Sequence, residues 1–255
     1  MRFFRVASSF GALSGMVAVY LLASGLAPRA QDAQITAQVQ VVQSKTEKHG
    51  KKASSAAGTE PSDVVIWLTP QDSSALAAPT SPQLNPRLVQ QNKQFEPRLL
   101  VVRVGTLVEF PNADHFFHNV FSLHDGKRFD LGFYEAGSSR SVRFDRLGVS
   151  FLFCNIHPEM SATVVAVDTP YFGVSDGTGR IVIPGVPDGV YVLHVWWERS
   201  LADELKALER TVNISSSDRA LGAIRVIENP NFTLAHKNKF GQDYVPPSIS
   251  DYSRP

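Results

Sequence analysis

Cysteine is nearly absent. The 255-residue chain holds one, Cys154, so no intrachain disulfide can form and stability must come from packing. Charge of one sign is also lacking. With 25 basic and 24 acidic residues the formal charge is +1, which gives no basis for nucleic acid as a partner. Long helical patterns are scarce too: the 16 Phe, 16 Pro and 17 Gly favour short strands and frequent turns. An apolar content of 43% and a charged content of 19% suit a globular protein, and the length accommodates two modest domains or one large one.

The N-terminus has the layout of an export signal. Basic "MRFFR" precedes the apolar, small-residue-rich "VASSFGALSGMVAVYLLASGLA". Residues 1–30 are therefore expected to be a signal peptide cleaved between Gly25 and Ala30, sending the chain to the periplasm. Uncleaved, the run would serve as a membrane anchor. Cleavage takes the formal charge from +1 to −2, because it deletes Arg2, Arg5 and Arg29 and no acidic residue.

Residues 31–60 are polar, rich in Ala and Ser, and carry a lysine cluster, the composition of a flexible linker. "DVVIWLTP" reads as a strand and "QDSSALAAPTSPQLNP" as a long loop. From residue 88 onward, strand signals of five to seven residues alternate with turns up to "SATVVAVDT", the pattern of an antiparallel sandwich spanning residues 61–168. Composition changes near residue 169. "RIVIP" and "VYVLHVWW" lie between the turns "SDGTG" and "PGVPDG", which predicts a second small β-sandwich over 169–228. Within it, "SLADELKALER" places Leu201, Leu205 and Leu208 on one helical face, with Ser200 as the expected cap. Trp196 and Trp197 alternate across a strand, one facing the core and the other a surface or domain interface. Residues 229–255 show no periodicity and read as an extended C-terminal tail.

The chemistry concentrates in "FLFCNIHPEM", where Cys154, His157 and Met160 fall within seven residues. Structural zinc would call for more thiolates or a well-spaced carboxylate. A Cys/His nucleophilic pair leaves the methionine without a role. Copper accounts for all three, because a thiolate, imidazoles and a long axial thioether form the His₂Cys–Met blue-copper set. The second imidazole must come from "EFPNADHFFHNVFSL", which offers His115, His118 and His124. His118 is preferred, since it enters the strand signal "NVFS". Asn119 could pin the ligand loop through its side-chain amide, and Pro158 stiffens the turn. Phe110, Phe116, Phe117, Phe121, Phe151 and Phe153 are read as core and site-shielding aromatics, and "HKNKF" (236–240) as a solvated stretch, with docking onto the first sandwich the weaker alternative.

"VVRVGTLVEFPNADHFFHNVFS" together with "FLFCNIHPEMSATVVAV" resembles a cupredoxin of the amicyanin, pseudoazurin and plastocyanin type, with a short amicyanin-like ligand loop. Over roughly residues 62–245 the chain resembles bacterial exported proteins of the "methylamine utilization protein" type. In these a cupredoxin precedes a carboxypeptidase regulatory-like (transthyretin-like) domain, which "TPYFGVSDGTGRIVIPGVPDGVYVLHVWWE" matches. The resemblance implies an all-β chain of two sandwiches. It implies one mononuclear type 1 copper on His118, Cys154, His157 and Met160, and electron exchange with redox partner proteins through the His157 edge. No substrate would be transformed, and the second domain would serve structure or the docking of protein or carbohydrate. Such domains often read Trp-His where this chain has Trp196–Trp197, which weakens a metal role there. Copper delivery is the alternative, as is an adhesion or scaffold protein with a structural copper. Delivery sites tend to be rich in Met, and this chain has three, two of them in the signal.

Overall fold

The computed structural model describes residues 34–43, 59–72, 86–123 and 125–244. The expected signal peptide and most of the expected linker lie outside these residues. No helix among the described residues is long and apolar enough to cross a membrane.

The chain is all-β, with sixteen strands and one short helix among the described residues. In chain order the strands are β1 (Ile35–Gln43), β2 (Val65–Pro70), β3 (Val89–Gln91), β4 (Gln94–Glu96), β5 (Leu99–Arg103), β6 (Thr106–Pro111), β7 (His118–Ser122) and β8 (Phe129–Tyr134). They continue as β9 (Ser139–Phe144), β10 (Gly148–Phe153), β11 (Ser161–Val167), β12 (Phe172–Val174), β13 (Arg180–Ile183), β14 (Gly189–Trp196), β15 (Arg210–Ile214) and β16 (Ala220–Glu228). Helix α1 spans Ala202–Lys206.

One sandwich has a five-stranded sheet in the order β5-β11-β10-β7-β8. Facing it are the β6–β9 and β3–β4 pairs, joined by bridges from Arg87 to Glu109 and from Gln90 to Asn112. The chain crosses repeatedly between the two layers in a Greek-key course. Alternation along each strand turns Leu88, Val102, Val108, Phe110, Val120, Phe144, Leu152 and Val164 into one apolar core. Cys154 and Met160 belong to that core, so the candidate ligands sit at the end of a packed sandwich rather than on a free loop.

The second sandwich is assembled from distant parts of the chain. Its sheets run β13-β1-β16 and β12-β2-β14-β15. β1 pairs antiparallel with β13 and parallel with β16, occupying the centre of its sheet. Ile35, Ala37 and Val39 point into the core while Gln38 and Gln40 face outward. This corrects the linker expected over 31–60: its residues 35–43 form a strand, held by a period-two apolar row that glutamines had disguised. The boundary at residue 61 moves as well. β2 pairs with β12 and β14, and its Ile66 and Leu68 enter the second core, so this segment does not belong to the first sandwich.

The sandwiches meet along the outer face of β5 and β11. Both faces of β11 are covered: Ala162, Val164 and Ala166 face the first core, and Val165 and Val167 pack with Val65 and Val101 against Trp67 and Trp196. Trp197 is buried in the second core and donates its indole N–H to the Ser62 carbonyl at 3.1 Å. The expected helix is present but shorter, and its N-cap is Leu201 without a side-chain bond. The Ser200 hydroxyl instead donates to the Ile227 carbonyl at 2.7 Å, fastening the helix entry to β16.

Candidate metal centre

β10 ends at Phe153 and β11 begins at Ser161, with Phe153 and Ser161 paired across the hairpin. The residues between them form a tight loop. The Cys154 N–H donates to the Met160 carbonyl and the Met160 N–H to the His157 carbonyl, each at 3.1 Å. Cys154, His157 and Met160 are thereby folded back on one another, and all three are buried. Pro158 occupies the exposed outer turn of the loop.

β7 supplies the partner. Every one of its residues is buried, and it begins with His118. The Nδ1 atoms of His118 and His157 lie 3.8 and 3.5 Å from Cys154 Sγ, and ligand atoms of the three residues all fall within 4.8 Å of one another. An ion bonded at about 2.3 Å to sulfur and about 2.0 Å to each nitrogen, with bonds about 120° apart, needs sulfur–nitrogen gaps of about 3.7 Å. The spacing fits such an ion in a trigonal plane. Met160 stands in the same apolar cluster as Cys154, fully buried. His115 is exposed and outside the cluster, and His124 lies outside the described residues.

Electrostatics favour neutral imidazoles, which a metal requires. Burial pushes the His157 ring down to about 4, aided by the nearby His118, and burial likewise lowers His118. Burial raises the Cys154 thiol, while backbone N–H groups of Asn119, Ile156, His157 and Asn155 aimed at the sulfur act in the opposite sense. A cation in the plane would stabilise the thiolate that burial disfavours.

Three features of the surroundings went unread in the sequence or act differently from the expectation. Asp114 Oδ2 lies 2.7 Å from His118 Nε2. It is held there by the β3–β4 turn, where Asn92 and Lys93 adopt positive φ (55° and 57°) and donate their N–H groups to Asp114 at 2.7 and 3.0 Å. Desolvation works against this carboxylate, but the hydrogen bonds from Lys93, His118 and Asn92 hold it below the usual range. Its signal in the sequence was an acid four residues before the ligand histidine. Asn119 is fully buried beside the site, yet its side-chain amide donates to Asp130 at 2.7 Å. The expected pin is therefore its backbone N–H toward the sulfur. The third is the tail, residues 229–244, which runs extended over the surface as expected but is hydrogen-bonded to the ligand loop.

Of the aromatics, Phe110 and Phe121 are buried. Phe116 covers both imidazoles, with ring centroids 5.1 Å from His118 and 5.5 Å from His157. Phe117 is 56% exposed and shields nothing in the core.

No protein-family model matches the chain, and no curated protein matches it. Solved structures similar to part of it are copper proteins. A purple cupredoxin from Nitrosopumilus maritimus is 24% identical, with 32% of this chain and 99% of the other covered at a TM-score of 0.30. A reduced amicyanin variant is 23% identical, with 40% and 99% covered at 0.31. A copper-containing nitrite reductase from Thermus scotoductus is 24% identical at 0.32, but this chain spans only 26% of its length.

Proposed function

We propose that this chain is an exported, periplasmic type 1 copper protein that transfers electrons. His118, Cys154, His157 and Met160 would hold one ion. One observation carries the reading: two imidazole Nδ1 atoms and a thiol sulfur converge in a buried pocket from two elements of one sandwich. The donor set selects copper over zinc. It has one soft thiolate and two imidazoles, and the nearest carboxylate, Asp114, faces the far nitrogen of His118. When bound, copper supplies a one-electron couple.

The chain's own residues fix the ligands in advance. The β10–β11 hairpin and the two loop hydrogen bonds set Cys154, His157 and Met160, and Asp114 sets the ring of His118. The apolar core and Phe116 exclude water. Four ligands leave no open position for a substrate, which favours a carrier over an enzyme. His157 is 7% exposed, next to exposed Ile156 and beneath Phe116. That edge is the port for redox partner proteins. The second sandwich, read as transthyretin-like, serves structure or the docking of protein or carbohydrate.

Adding Cu(II) to the purified chain and recording a visible spectrum and a voltammogram tests this reading. An intense thiolate-to-copper band with a reversible couple, both lost in Cys154→Ser, is the expected result. Absence of the band overturns the reading, and rapid surrender of copper to a chelator would replace it with delivery.

A further inference from the structure

We infer that residues 229–244 form a strap from the second sandwich that positions the copper-ligand loop, with Tyr244 as the positioning residue; the inference rests on the copper reading above. The base of the strap is fixed to the second sandwich. The Asn229 N–H donates to the Arg199 carbonyl at 2.7 Å, and the Arg199 guanidinium lies 5.0 Å from the Phe232 ring centroid.

Its far end grips three consecutive residues at the start of the ligand loop. The His236 ring lies over Phe153, with centroids 4.0 Å apart and planes 30° from parallel. The Tyr244 hydroxyl donates to the Cys154 carbonyl at 2.6 Å. The Lys239 N–H donates to Asn155 Oδ1 at 3.0 Å. The strap also reaches the other ligand strand. The Lys239 ammonium binds Asp130 Oδ2 at 2.8 Å, and Asp130 Oδ1 accepts the side-chain amide of Asn119, the neighbour of His118, at 2.7 Å. Both ligand-bearing segments are thus tied to one piece of chain rooted in the other sandwich.

Two backbone hydrogen bonds close the loop from within. A short loop so held can still shift as a body, and a ligand set loses precision when its support is left loose. The strap supplies outside attachments at residues 153, 154 and 155. In this arrangement the second sandwich is part of the metal centre's support, not only an appended module.

Tyr244→Phe in the full chain removes only the hydroxyl. Two readouts are taken. In metal-free protein, hydrogen exchange of the amides of residues 154–160 is expected to quicken about fivefold, the size a single neutral hydrogen bond supplies. In copper-loaded protein, release to a chelator is expected to quicken by a similar factor, with a shift of the thiolate-to-copper band. Global unfolding of the variant is measured alongside, because a purely structural role would lower the melting temperature without moving the band. Unchanged loop exchange in metal-free Tyr244→Phe overturns the strap. So do an unchanged band and release rate in Tyr244→Phe when the wild-type chain binds copper. A wild-type chain without a copper band overturns the copper reading instead, and the metal-free exchange still decides whether the strap holds the loop.

Discussion

His118 is gripped from behind by Asp114: the carboxylate oxygen lies 2.7 Å from Nε2, while Nδ1 faces the Cys154 sulfur at 3.8 Å. A carboxylate only accepts hydrogen bonds, so the proton must reside on Nε2 and the lone pair on Nδ1. The tautomer a metal needs is therefore chosen before any metal arrives.

This arrangement makes Asp114→Asn informative. The amide can keep its oxygen toward the Asn92 N–H and present its NH₂ to His118 Nε2, giving up only the bond from the Lys93 N–H. That would favour the opposite tautomer and place a proton on Nδ1. Copper affinity, measured by competition with a chelator, is expected to fall about 10–100-fold, with little change in melting temperature. Unaltered affinity would show that Asp114 does not set the ring.

The central place of β1 gives a second expectation. Ile35 is fully buried in the second core and pairs with Ile183 across the sheet. Ile35→Ala should cost about 2–5 kcal/mol of stability in denaturant unfolding. A tether would lose almost nothing on the same change, so a cost below about 0.5 kcal/mol would remove β1 from the core.

The difference between what was readable and what was not follows from range. The cluster of Cys154, His157 and Met160 was legible because one hairpin loop brings its ligands together locally, and His118 because it opens a strand of buried residues. Asp114 acts through a turn about twenty residues upstream, at Asn92 and Lys93, and no local pattern announces that. β1 hid for another reason. In "ITAQVQVVQ" the inward row Ile35, Ala37, Val39 alternates with Thr and Gln, so composition spoke for a linker while period spoke for a strand. Its partners β13 and β16 lie far along the chain, and pairing of that kind leaves no mark in a sequence window. The tail runs extended as expected, but its points of attachment were hidden in the same way. Lys239, His236 and Tyr244 lack periodicity because each binds a separate point on the first sandwich.

The strap's attachment should weaken as pH falls, in two stages. His236 is the first group. Burial lowers its ring below the ordinary 6.5, because a charged imidazole is disfavoured between Phe153 and Tyr244, and this outweighs the backbone hydrogen bonds to Lys237 and Pro158, which act in the opposite sense. A released strap binds that proton more readily than a docked one, so docking is at full strength above about 6.5 and declines as pH drops toward the lowered value. Asp130 is the second. Burial works against its charge, but hydrogen bonds from Lys239, the Gly132 N–H and Asn119 carry it below the ordinary 3.8. Its contribution stays intact above that value and is lost only as pH falls through the lower one. The exposed Lys237–Asp243 pair adds little. Backbone nuclear Overhauser effects of residues 236–244 in metal-free protein should show rising mobility first as pH falls below about 6.5. His236→Phe preserves the ring against Phe153 and cannot titrate, so it should abolish the first stage and leave the second. Mobility that rises equally in wild type and His236→Phe would place the pH response elsewhere.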